Sequence, residues 1–155
     1  MENLNEAHRG GTFCLSKAGL GKGTTGKQIA IASPNGAGVD YAIGGILYHK
    51  ADAASAAIPA AGEQAADTTC LYLVCLDSAG ALGTAKGKDV KNTDIANNAG
   101  AIHYPAVPAG GCAIGAIKIK TVAVTFTAGT TAFDAAGVTA TFIDLFAVPT
   151  APLAA

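Results

Sequence analysis

The sequence predicts an all-β protein, an antiparallel β-sandwich or barrel-like domain with extended N- and C-terminal arms. Three observations carry this. About seven short apolar stretches alternate with a period of two residues. Turn signals built from Gly, Pro, Asn and Asp recur roughly every ten residues. No segment carries an apolar stripe at helical spacing with which a helix could dock. The 155 residues fit one domain, read here as 13–147, between an N-terminal arm over 1–12 and an extended C-terminal tail over 148–155.

Residues 1–10 are polar and follow neither period. The stretch from Gly11 to Gly26 is glycine-rich and is interrupted by Phe13-Cys14-Leu15, which predicts one short strand and then an irregular loop. Gln28 to Ala32 alternates and runs into Ser33-Pro34-Asn35-Gly36, a strand ending in a turn. Val39–Ile43 and Ile46–Lys50 flank Gly44-Gly45, a pair able to take the positive φ angles of a two-residue hairpin. Residues 51–66 are rich in alanine, but Pro59 lies among them, so a loop with at most one helical turn is expected.

Thr68 to Leu76 is apolar on both faces, with Leu71, Leu73 and Cys75 on one and Tyr72, Val74 and Leu76 on the other. Such a strand belongs at the centre of a sheet, covered on both sides. It ends in Asp77-Ser78-Ala79-Gly80, and Asp134-Ala135-Ala136-Gly137 repeats the pattern before the strand expected over Val138–Phe146. In both turns Asp caps with its carboxylate and Gly takes the left-handed position, so the two read as equivalent. Residues 86–101 carry Lys86, Lys88, Asp89, Lys91 and Asp94 and read as an exposed excursion. Cys112 to Phe126 alternates with a change of phase near Lys120-Thr121, where a bulge is expected. The tail Val148-Pro149-Thr150-Ala151-Pro152-Leu153 cannot pair centrally and reads as an extended strap.

Composition bounds the function. Hydrophobic residues make up 50%, but 35 are Ala, and only 34 are Ile, Leu, Val or Phe. At ~25 cal/mol per Å² of buried apolar area, such small side chains leave a slim margin over chain entropy. Oligomerisation is the expected supplement. Ten Lys and Arg against 11 Asp and Glu give a net charge of −1, which cannot supply the phosphate neutralisation behind nucleic-acid affinity. No apolar run approaches the ~20 residues of a membrane span, so neither nucleic acid nor membrane is expected as a partner. Residues 1–9 lack the apolar region of a secretory signal, and the four cysteines read as free thiols of a reducing compartment.

No catalytic, cofactor-binding or metal site is predicted. Gly21-Lys-Gly-Thr-Thr-Gly-Lys-Gln28 nearly spells a phosphate-binding loop, but Gln28 stands where Ser or Thr should hold magnesium, and a strand follows where a helix should. Cys70 and Cys75 are separated by an odd number of residues, so one strand sends them to opposite faces; Cys14 and Cys112 add no metal-ligand spacing. His8, His49 and His103 occur singly. A triad could draw His49 or His103 together with Ser16, Ser33, Ser55 or Ser78, but no spacing marks a nucleophile. Tyr41, Tyr48, Tyr72 and Tyr104 keep a sugar-stacking reading alive.

Four segments, Tyr41–Ala51, Leu71–Gly80, Pro108–Lys118 and Phe126–Phe142, resemble small virion structural proteins of tailed bacteriophages, over roughly residues 39–149. The resemblance implies a capsid decoration, or cement, protein: a β-rich non-enzyme that stabilises the head shell through contacts with the major capsid protein and with itself, as a trimer or dimer. It would sit on the capsid exterior of the virion after assembly in the host cytoplasm. The alternative is a head-fibre or host-surface module that binds glycans through its loops.

Overall fold

The computed structural model describes residues 11–145. The arm before Gly11 and the tail from Val148 lie outside these residues. Eleven strands and one short helix follow in order: β1 Phe13–Cys14, β2 Leu20–Lys22, β3 Ile29–Ile31, β4 Val39–Ile43, β5 Ile46–Lys50, β6 Ala53–Ala56, β7 Thr68–Leu76, β8 Leu82–Lys86, β9 Val90–Lys91, α1 Asn92–Ala96, β10 Cys112–Thr121 and β11 Val138–Asp144. All pairings are antiparallel. The large sheet has the order β11-β10-β7-β8, with β9 on β7, and two three-stranded sheets, β1-β4-β5 and β2-β3-β6, complete the architecture. The sheets stay open, so the fold is sandwich-like and not a closed barrel.

β7 is the centre of the large sheet, and all nine of its residues are buried. Cys70, Tyr72, Val74 and Leu76 join the main core with Ile29, Ile31, Val39 and Tyr41 from the small sheets and Ile114, Ile117 and Ile119 from β10. Leu71, Leu73 and Cys75 face the other way and pack with Ala116 under Ile102 and Ile143. Both faces are therefore dry, as its two apolar rows predict. A row of aromatics crosses the main core: Tyr72 meets Phe126 at 5.6 Å, Phe126 meets Phe133 at 5.7 Å and Phe133 meets Phe142 at 5.4 Å.

The hairpin β4–β5 forms as expected, with Gly44 and Gly45 at φ 58° and 82°, the left-handed pair that matches the twist of its strands. Gly45 N donates to Gly11 O and Gly44 N to Thr12 Oγ1, so the chain enters the domain alongside this turn.

Three expectations need correction, and a fourth gains detail. The glycine-rich stretch holds a second strand, β2, whose Leu20 pairs with Ile31. Residues 51–66 form no helical turn but contribute β6, because pairing with β3 outweighs the helical preference of alanine. The 86–101 excursion has no buried residue, as expected, and supplies β9, which pairs with Thr68 and Thr69 of β7 within the sheet, and α1; Ile102 after it packs on the outer face of β7. The bulge lies between Ala113 and Gly115, not at 120–121. There it turns both Ile114 and Ile117 into the core, and a Cβ on Gly115 would stand 2.7 Å from Ile143 O; β10 then ends at Thr121.

The two Asp-x-Ala-Gly turns also differ. Asp77 Oδ1 accepts from Ala79 N and Ala81 N at 2.8 Å each, the expected cap. Asp134 instead takes Lys22 Nζ at 2.6 Å, and its turn closes through Val138 N donating to Ala135 O. Gly80 and Gly137 are both left-handed, at φ 73° and 81°. A Cβ at Gly137 would lie 2.6 Å from Val122 O, whereas at Gly80 the nearest atom is Lys50 Cδ at 3.5 Å.

Leu73→Asp should abolish folding, since an unpaired charge in the β7 roof costs more than ~4 kcal/mol; circular dichroism and protease resistance of the soluble fraction check this. For the turns, G80V should cost about 1–2 kcal/mol from backbone strain alone, and G137V about 3 kcal/mol or more because a carbonyl blocks the new side chain. Thermal melts that rank the two equally would contradict the difference in packing.

Candidate interaction surface

Residues able to do chemistry are placed mostly in structural duties. The Gly21–Gln28 segment is the β2–β3 connection: Gly23 N donates to Gln28 O at 2.8 Å, Thr24 N to Ala54 O at 3.3 Å and Gln28 N to Thr25 O at 2.9 Å. A strand follows it, so its amides close a hairpin and do not converge at a helix start.

The four cysteines are free and buried. Cys70 lies in the main core and Cys75 under the roof, on opposite faces as their spacing requires. Burial pushes the thiols of Cys70, Cys75 and Cys112 up to about 11, and that of Cys14 upward as well. Among the described residues no three His, Cys, Asp or Glu side chains come together to hold a metal ion.

His49, Asp40 and Ser16 do meet, on the exposed face of β4–β5. His49 Nδ1 lies 2.7 Å from Asp40 Oδ1, but Ser16 Oγ accepts from the backbone N–H of Asp40 at 2.7 Å. The hydroxyl thus faces the aspartate's backbone and not the imidazole, which leaves the serine without a base. Ser33 Oγ accepts from Gly38 N at 2.8 Å, Ser55 donates to Gln28 Oε1, and Ser78 sits in the Asp77 turn. His8 lies outside the described residues. His103 lines an open cleft of about 440 Å³ with Lys88, Lys91, Asp89 and Asp94, a balanced set of charges with no nucleophile.

Of the tyrosines, Tyr41 and Tyr72 are buried. Tyr41 donates to Asp77 O at 2.7 Å and stacks on Tyr48 at 5.6 Å. Tyr104 alone is exposed by half, so most of the aromatic surface that a glycan would stack on is spent inside.

The surface that stands out is apolar. The register of the β1-β4-β5 sheet sets Phe13 beside Ala42 and Ala42 beside Leu47, so Phe13 and Leu47 share the sheet's outward face. Phe13 is 50% exposed and Leu47 71%, while Ala42 between them is covered at 2%. Leu15 continues this face, and Ile46, 61% exposed, projects from the other side of the hairpin tip. Single exposed hydrophobes are ordinary, but several together on one rigid element mark a contact surface. The sequence offers one signal for it: Ile46 and Leu47 are adjacent, so a two-layer strand cannot bury both.

No protein-family model, no curated protein and no solved structure matches the chain.

The raised thiols give a pH prediction. Each buried Cys is held neutral in the folded state, so its contribution is complete below about pH 9 and is lost as pH rises toward about 11. The denaturant midpoint should therefore fall between pH 8 and pH 10.5, and a thiol reagent at pH 8 should label the native protein only as fast as it unfolds.

Proposed function

We propose that this chain is a viral structural protein, a capsid decoration protein of a tailed bacteriophage that cements the exterior of the head shell as a homo-oligomer. The observation that carries the reading is the apolar face of Phe13, Leu15 and Leu47 with Ile46 at its tip. A protein of net charge −1 whose core is short of large side chains gains by leaving such groups for a partner, because their burial on a shell subunit releases water. The face is built on a hairpin fixed by Gly44-Gly45 and tied to Gly11 and Thr12, so it is held rigid for docking.

The segments that resemble phage head proteins support the same reading by where they fall. Tyr41–Ala51 is the hairpin itself, Leu71–Gly80 is β7 with its turn, and Pro108–Lys118 and Phe126–Phe142 build β10, the aromatic row and β11. They are the hairpin that carries the apolar face and the core strands and aromatic row of the domain that carries it. The glycan-binding alternative loses ground with Tyr41 and Tyr72 in the core.

The test adds purified protein to heads of the encoding phage assembled without it, and follows binding together with the temperature at which the shells break. Wild type should bind and raise that temperature. The variant I46S/L47S should melt within ~0.5 kcal/mol of wild type, since both side chains are exposed, yet bind at least about tenfold more weakly. Unchanged binding by the variant, or none by wild type, would overturn the reading.

A further inference from the structure

β11 ends the large sheet, and among the described residues no strand pairs with its outer edge. Two bonds beyond the strand fix its hydrogen-bonding phase: Val122 N donates to Gly137 O at 2.8 Å and Leu145 N to Ile114 O at 3.4 Å. By the alternation of an antiparallel ladder, Thr139, Thr141 and Ile143 therefore bond toward β10, and the N–H and C=O groups of Ala140 and Phe142 face away from it. No described residue bonds them.

Among the described strands β11 is the edge with the least protection. Natural edges are blunted by charge, proline, bulges or shortness. β1, β2 and β6 have two to four residues, β5 ends in His49-Lys50 and β8 ends in Lys86. β11 runs for seven residues, and Val138 to Ile143 holds no charge and no proline. Its core-side row, Val138, Ala140 and Phe142, packs against the main core yet stays only partly buried. One more strand would finish that burial.

We infer that this edge pairs with the β11 edge of a second copy, antiparallel about a two-fold axis at Ala140, to make one continuous sheet through both protomers. The sequence is self-complementary in this register. Ala140 meets its own copy, where a small side chain avoids a clash on the axis. Val138 then faces Phe142 of the other protomer on the core side, and Thr139 faces Thr141 on the outer side, a favourable cross-strand pair. The outward N–H and C=O of Ala140 pair with those of its own copy, and Phe142 N donates to Val138 O of the other protomer, while Val138 N stays with Ala135 O.

Charge permits the contact. Lys118 and Lys120 on β10 lie beside Thr141 and Thr139, and Lys17 is paired with Asp144 at 3.8 Å. In the paired sheet the two lysine rows are three strand spacings apart, about 14 Å, beyond the screening length of about 8–10 Å at physiological salt. Asp144 is already engaged by Leu20 N at 2.9 Å. An isologous contact of this kind closes at two subunits, so the unit is a dimer and not a trimer. The inference does not depend on shell docking, because the hairpin belongs to another sheet.

Sedimentation equilibrium of the full chain across micromolar concentrations tests it. Wild type should be a dimer. Ala140→Pro removes an outward N–H that β10 does not use, and T139E/T141E sets carboxylate against carboxylate across the axis; each should weaken the dimer by about tenfold or more. T139E/T141K restores opposite charges in the same register and should stay within about threefold of wild type. Thr139 and Thr141 are exposed, so the paired variants should keep the wild-type circular dichroism even if A140P does not fold. A trimer, a dimer indifferent to T139E/T141E, or a monomer that dimerises only once residues 146–155 are removed would each overturn the inference. A dimer that I46S/L47S leaves intact supports it, whatever that variant does to shell binding.

Discussion

A strand with water on neither face governs this structure. β7 has nine buried residues in a chain where large apolar side chains are few, and covering it demands two separate layers. The small sheets and the aromatic row cover one side; Ile102, with Ala85, Ala113 and Ile143, packs on the other. At its N-terminal end the same strand is pinned by buried polar groups. Gln64 donates through Nε2 to Thr68 O and Ile119 O at 3.1 Å each, and Thr121 Oγ1 donates to Ala65 O at 2.8 Å. These bonds join the loop before β7 to β10 and satisfy backbone carbonyls that would otherwise be costly to bury.

With the interior committed to covering β7, the groups left for function are at the periphery. The cysteines, two tyrosines and most serines are absorbed by packing, turns and caps. Among the described residues, apolar side-chain surface at the β4–β5 tip and unpaired backbone along β11 remain without partners. These are two different kinds of adhesive: one recognises shape and excludes water, the other recognises another extended strand. They lie on separate sheets, so the use of one does not block the other.

Sequence periodicity made the parts with large side chains legible. β7 was readable from its two apolar rows, and the β4–β5 hairpin from Gly44-Gly45. β6 was not, since Ala53–Ala56 carries no contrast between faces and is a strand only because β3 lies beside it. The phase change in β10 was foreseen but misplaced: Lys118 and Lys120 draw the eye to 120–121, while the bulge is set by Gly115, where the approach of Ile143 O tolerates no side chain. Asp134 looked like a turn cap because Asp77 is one, and only the fold brings Lys22 near enough to claim it. The apolar surface is a relation among Phe13, Ala42 and Leu47, residues distant in sequence, so register and not composition reveals it.

The pairing order of β7 bears on how the chain comes to be folded. Each strand bonded to it, β8, β9 and β10, lies later in the sequence. During synthesis, Ile29, Ile31, Val39 and Tyr41 emerge long before the β10 residues that cover them, so the small sheets have no opposing layer until most of the chain is made. Folding dominated by such distant contacts is slow and leaves strand edges open meanwhile. A chain in that half-made condition exposes whatever apolar groups it has, and the scarcity of long apolar side chains that thins this core also lowers the stickiness of the waiting chain.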